Sequence, residues 1–163
     1  MLQRFQHDIL PLKDSLYRLA LRITLSREEA EDIVQETLIK LWEQRSQWDT
    51  IANIEAYSIT ICRNLALDHL KRKDARHLPI DSPQTETPDR SPSPLEQTIT
   101  NERFARMQQV IDSLPERHRS CLQLRDFEGL AYRDIADALQ ITEEQVKTNI
   151  FRARQTIRKE LGV

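Results

Sequence analysis

Residues 130–159, LAYRDIADALQITEEQVKTNIFRARQTIRK, constrain the fold of this chain more than any other stretch. Ile135, Ala136 and Leu139 fall on one face of a short helix over about 132–139, and Val146, Ile150, Ala153 and Ile157 on one face of a longer one. Ala136 is small where the two helices would cross. Thr142 is placed to cap the second helix, and Gln145, three residues on, can complete a capping box. Gln140 occupies the turn position where such motifs commonly carry glycine, because the backbone there is left-handed; a side chain at that position adds a cost. The segment therefore reads as a helix-turn-helix. From Gln145 to Lys159 there are five basic residues (Lys147, Arg152, Arg154, Arg158 and Lys159) and no acidic one. An amphipathic helix with a solvated basic face is the bland alternative. The small Ala136, the capped turn and the one-sided charge together favour a helix that enters a DNA groove.

The rest of the composition agrees with an all-α chain. In 163 residues, 31% are charged, 6% are aromatic and only two are glycine, the profile of helices around small cores. No apolar run approaches the ~18 residues of a membrane span, so no membrane insertion is expected. The first twenty residues are amphipathic and acid-containing, unlike a secretory signal. Cys62 and Cys121 sit in apolar helical stretches and read as buried reduced thiols, which points to the cytoplasm. The formal net charge of −2 looks wrong for a nucleic-acid binder, but the signs separate locally. Arg63–Arg76 holds five Lys/Arg against two Asp, and local fields matter more for phosphate contact than the total.

Residues 79–94, PIDSPQTETPDRSPSP, contain five of the seven prolines. Almost nothing apolar remains there and no helical period survives, so this reads as an extended or disordered linker. The expected organisation is two small helical domains, 1–75 and 96–163, joined by a Pro-rich linker over 76–95. The linker would span roughly 70 Å fully extended, enough for two separate DNA elements. It permits either a compact pairing of the modules or independent tumbling.

The N-terminal module reads as three helices. The first covers about 2–25, with a bend at Pro11. Ser26 caps the second, about 27–45, with Glu29 as capping-box partner. That helix buries Ile33, Val34, Thr37, Leu38, Leu41 and Trp42 and shows Asp32, Gln35, Glu36, Lys40 and Glu43. The third, about 54–73, is apolar through Tyr57, Ile61, Leu65 and Leu70, with Arg63, Asn64, Asp68, Lys71 and Arg72 along its remaining surface. In the second module, helices over about 95–113 and 116–127 form the scaffold, Pro115 standing where its missing N–H costs little.

DIVQETLIKLW at 32–42 and AYSITICRNLALDHLKR at 56–72 resemble region 2 of the sigma-70 family, and LPERHRSCLQLRDFEGLAYRDIADAL at 114–139 resembles region 4. The order region 2, short linker, region 4 is similar to the extracytoplasmic-function (ECF) group of alternative sigma factors. The resemblance implies core RNA polymerase and promoter DNA as partners, with an anti-sigma factor as a further possible one. It places Asp32, Gln35, Glu36 and Lys40 on the polymerase. It assigns promoter melting at the minus-ten element to the loop over about 44–53 and the third helix, where extruded bases need a pocket and polar edges. Asn64, Asp68 and Arg72 are candidates for base and backbone contacts, and Arg63, Lys71 and Lys73 for phosphates. Trp48 is a candidate stacking platform or a loop anchor; Trp42 reads as core.

The start of the second helix of a helix-turn-helix meets base edges, which nominates Glu143, Glu144, Gln145, Lys147, Thr148 and Asn149 for the minus-35 element. Glu143 and Glu144 could instead serve the helix dipole. Arg152, Arg154 and Arg158 would face phosphate or solvent. Catalytic readings fare badly. His7, His69, His77 and His118 lack metal-ligand spacing, two glycines leave no phosphate-binding loop, and the carboxylates read as solvated faces. The expectation is therefore no enzyme, no cofactor and no metal. The alternative reading is an autonomous helix-turn-helix transcriptional regulator, which would bind a palindrome without polymerase.

Overall fold

The computed structural model describes residues 1–75 and 95–162; the proposed linker lies outside the described residues for all but its last residue, Leu95. Among the described residues eight α-helices run in the order α1 Leu2–Arg4, α2 Lys13–Thr24, α3 Arg27–Glu43, α4 Ile54–Ala75, α5 Leu95–Ser113, α6 Glu116–Leu122, α7 Tyr132–Leu139 and α8 Glu143–Leu161. No strand occurs among the described residues. No helix among them is long and apolar enough to cross a membrane.

The N-terminal stretch is not one bent helix. After α1 the chain widens into a π turn at Phe5–Ile9 and tightens into a 3-10 turn at Leu10–Leu12 before α2 begins. Pro11 explains the break, since it lacks an N–H and its ring clashes with the preceding turn. α2 then buries Leu16, Leu19, Ala20 and Ile23 along one face. It ends on Leu25 in the left-handed region, φ 58°, whose N–H bonds Leu21 O. Ser26 Oγ accepts from Glu29 N–H and caps α3. The capping box stays half formed, because the Ser26 N–H goes to Thr24 Oγ1 and the Glu29 carboxylate pairs with Lys73 at 3.0 Å.

α4 packs against α2, α3 and α7 at once, so its buried residues, from Ala56 through Ala66, do not keep to one stripe. Asn53 Oδ1 accepts from Ala56 N–H at its start. The buried hydroxyls of Thr37 and Ser58 donate to carbonyls four residues back, which satisfies them inside the helix.

In the second module α6 continues through a π turn at Gln123–Phe127. Gly129, φ 75°, reverses the chain, and Leu130 N–H returns to Leu124 O. Gln140 is left-handed (φ 59°, ψ 45°), and Ile141 N–H closes the turn on Ala136 O. Thr142 and Gln145 form both halves of the capping box on α8. Ile135, Ala136, Leu139, Val146, Ile150 and Ala153 are buried as the periodicity predicts.

The two modules are packed together. One apolar cluster runs from Leu16, Leu19, Ile59 and Cys62 into Cys121, Leu124, Ile135 and Leu139. Cys62 and Cys121 are free and buried, and burial pushes their thiols up to about 12 and about 11. Such thiols are inert at neutral pH.

Candidate nucleic-acid interface

α8 turns its apolar side to α5, α6 and α7 and leaves the other side to solvent. Glu143, Glu144, Gln145, Lys147, Thr148 and Arg152 are all exposed. Gln145 is spent on the cap, its Oε1 accepting from Thr142 N–H at 2.9 Å. The Lys147 ammonium lies 5.6 Å from the Tyr132 ring centroid, which steadies it beside the turn. Arg154 pairs with Asp126, Nε to Oδ2 at 3.1 Å. Asn149 corrects the sequence reading. It is 7% exposed and its amide Nδ2 donates to Cys121 Sγ at 3.8 Å, so it braces α8 against α6. Phe151 was not nominated, yet it is 65% exposed in the middle of the outward face. The signal was available, since Phe151 is out of phase with Val146, Ile150 and Ala153.

α4 presents Asn64, Asp68, Lys71 and Arg72 to solvent, with Lys73 held by Glu29. Arg63 is different. Its guanidinium makes a two-pronged pair with Glu116 of the other module, at 2.8 and 2.9 Å, with side-chain exposures of 12% and 21%. It does not face open solvent in this arrangement. Trp48 is a second correction. It is 1% exposed and its indole N–H donates to Leu41 O at 2.9 Å. Trp48 is the loop anchor, not a stacking platform; Trp42 is the less buried of the two. Around the anchor, Arg45, Ser46, Gln47, Asp49 and Thr50 are exposed on a 3-10 turn over Arg45–Thr50.

On α3, Asp32, Gln35 and Lys40 are exposed and Glu36 is half-buried. Ile39 stands among them at 57% exposure. The sequence reading passed over it, although it breaks the phase of Val34, Thr37 and Leu41. An apolar side chain ringed by polar ones has the layout of an interface, apolar at the centre and polar at the rim.

Between the modules, polar ties surround the apolar contact. Arg18 holds Glu128 at 2.8 and 2.7 Å, Arg22 Nε donates to Gln123 Oε1 at 2.7 Å, and Thr60 Oγ1 donates to Ala138 O at 2.6 Å. Asn53 reaches Asp134 at 3.2 Å. Burial raises the Glu116 carboxyl, but the Arg63 hydrogen bonds and charge outweigh it and hold it below its ordinary value. Glu128 is likewise low, burial being overcome by Arg18 and Gln123. Glu55 is raised by burial and by the nearby Asp134 and Glu128 charges. Asp112 is raised by burial, against Arg22 and Arg119. Arg119 Nη1 donates to Asp112 O at 2.7 Å, and its buried Nε has no partner. No cluster of three or more metal-ligating side chains occurs among the described residues.

Comparison with known proteins places these features in a lineage. Residues 9–76 match the family described as Sigma-70 region 2, and residues 104–157 match Sigma-70, region 4. The chain is 33% identical over 151 residues to the ECF RNA polymerase sigma factor SigE of Mycolicibacterium smegmatis, covering 91% of this chain and 58% of that relative. It is 32% identical to the RNA polymerase sigma-H factor of Pseudomonas aeruginosa, covering 97% and 82%. With the ECF RNA polymerase sigma factor SigL of Mycobacterium tuberculosis the identity is also 32%, covering 91% and 85%. Among solved structures, the sigma factor RpoE of Bartonella quintana, in complex with the anti-sigma factor NepR, superposes with TM-score 0.75 at 22% identity, covering 98% of this chain and 97% of that one. CnrH, in complex with the cytosolic domain of CnrY, gives TM-score 0.72 at 17% identity, covering 99% and 90%. These two likenesses speak to the fold.

Proposed function

This chain belongs to the sigma-70 family, in its extracytoplasmic-function group, and we propose that it acts there as an alternative sigma factor. It binds core RNA polymerase in the cytoplasm and directs it to promoters with distinct minus-ten and minus-35 elements. The single observation that carries this reading is the order of two sigma segments along one chain, the second ending in a fully capped helix-turn-helix with an open outer face. Sigma factors are initiation factors rather than enzymes, and RNA synthesis belongs to the polymerase.

In this reading Asp32, Gln35, Glu36, Ile39 and Lys40 of α3 meet the polymerase, a polar patch around one apolar anchor. Glu143, Glu144, Lys147, Thr148 and Phe151 face base edges of the minus-35 element. Glu accepts from cytosine, and an apolar ring meets a thymine methyl group. Arg152 and Arg154 hold phosphates, Arg154 after leaving Asp126. Asn64, Asp68, Lys71, Arg72 and Lys73 serve the minus-ten element. Arg63 joins them once its pair with Glu116 opens, so promoter binding separates the modules. The domain boundaries that suit this are 1–75 and 96–163, with 76–95 between. An anti-sigma factor is the natural stabiliser of the packed arrangement.

The test is run-off transcription from genomic fragments with purified chain and bacterial core polymerase. Transcripts that start downstream of a shared two-part motif are expected. Clear failure with active core polymerase, together with palindrome binding by the chain alone, would give the protein to autonomous repression instead.

A further inference from the structure

The loop between α3 and α4 is rigid from beneath. Trp48 plugs it, the Tyr57 hydroxyl bonds Gln44, Arg45 Nη1 donates to Trp42 O at 3.1 Å, and Thr50 Oγ1 donates to Gln47 O at 2.6 Å. From outside it is covered by the irregular N-terminal segment. The Phe5 ring lies nearly parallel to Trp48, centroids 6.3 Å apart at 13°, and edge-on to Trp42 at 5.5 Å and 79°. Arg4 sits 5.8 Å from the Trp48 ring centroid and its Nη1 donates to Asp49 Oδ1 at 2.6 Å. Ile9, 1% exposed, belongs to the same cluster as Leu41 and Trp48. The π turn brings Phe5 and Ile9 to this one cluster, so the irregular backbone has a use.

We propose that Phe5 and Arg4 are positioning residues for the α3–α4 loop. Through Trp48 and Asp49 they fix the 3-10 turn that displays Gln47 and Asp49 to an unstacked base, and so set base selectivity and opening at the minus-ten element. This rests on the sigma reading. A turn already held in its binding shape loses less entropy when it captures a base, and a recognition group is only as well placed as the shell that supports it. Removing Phe5 deletes its ring contacts with Trp48 and Trp42 while leaving the α8 reading face and the α3 docking face untouched.

The experiment compares wild type with Phe5→Ala, Phe5→Leu and Arg4→Ala. Each full-length chain is assembled with core polymerase on a promoter found by run-off transcription, with each base placed in turn at every minus-ten position. Open complex is read by permanganate reactivity. Phe5→Ala is expected to lower opening about tenfold, within the range for losing its two aromatic contacts, and to flatten base preference at one minus-ten position. Core binding and minus-35 duplex binding should stay unchanged. Phe5→Leu, which keeps the apolar volume but not the stack, should fold normally and still flatten the preference. Arg4→Ala should act in the same direction by a smaller factor. Wild-type opening and preference in Phe5→Leu and Arg4→Ala would overturn the proposal, and so would an equal loss of core binding, minus-35 binding and opening. No transcription by the wild type from any fragment would sink the sigma reading itself, and the inference with it.

Discussion

Helices α4 and α8 carry the two sets of proposed DNA contacts, and they stand in opposite states. The outward face of α8 is open from Glu143 to Arg152 except where it caps itself. α4 is partly covered by the other module, with Thr60 bonded to Ala138 O and Arg63 paired to Glu116. Both helices have basic clusters of similar size in the sequence. What separates them is whether a carboxylate of the opposite module already occupies the cation. The packed arrangement is also not free of cost. It leaves Arg119 Nε buried without a partner and sets Glu55 near Asp134 and Glu128. A buried guanidinium short of a hydrogen bond weakens the contact that surrounds it, which suits the proposed separation of the modules.

The largest effect should come from preventing separation. With Arg18→Cys and Glu128→Cys joined by a short bis-maleimide, transcription should fall to background. Minus-35 duplex binding should remain within about twofold, since a face equally open in both states does not sense the equilibrium. Transcription at wild-type level by the cross-linked chain would erase the distinction between the two helices.

A smaller effect is expected from Glu116→Gln. It removes a carboxylate from a largely buried pair and should cost about 1–3 kcal/mol of packing between the modules. Binding of single-stranded minus-ten DNA should then rise by about fivefold to a hundredfold, with no change on minus-35 duplex. The pH dependence sharpens this. Glu116 is held below its ordinary value of 4.5, so its stabilisation is complete above that pH and is lost as pH falls through the lowered value. The melting-temperature gap between wild type and Glu116→Gln should be constant near pH 6 and close below 4.5. Glu55 and Asp112 are raised, so they oppose packing at neutral pH and relent on acidification. They do so in both proteins and cancel in the difference.

The smallest effect separates reading from bracing within α8. Asn149→Ala should lower stability by about 1 kcal/mol through its lost side-chain contact and leave minus-35 base preference unchanged. Lys147→Ala should leave stability alone and weaken binding, with the salt slope reduced by about one if it meets a phosphate. Competition assays over permuted minus-35 sequences read both. A shifted base preference in Asn149→Ala would return that residue to the reading face.

Much of this was legible along the chain. The left-handed Gln140, the Thr142–Gln145 box and the buried phase of α8 follow from local spacing, because a helix period and a cap involve residues within one or two turns. The same locality made Ile39 and Phe151 readable as phase errors, although they were passed over. Trp48 and Asn149 were not readable in this way. Whether a tryptophan in a loop is exposed depends on Phe5, some forty positions earlier, and Asn149 depends on Cys121. The half-formed cap at Ser26 likewise reflects Lys73 drawing Glu29 away.

By itself the sequence determined an all-helical chain with a capped helix-turn-helix, a polar α3 face and a helical first module. Those properties rest on short-range periodicity, capping and charge placement, which neighbours in sequence supply. Only the tertiary structure decided that the two modules share one apolar cluster, that Arg63 is paired across the contact while the outer face of α8 stays open, and that the N-terminal segment closes over Trp48. Each of these depends on groups brought together from distant parts of the chain, where burial and partner choice, rather than local pattern, set what a side chain is free to do.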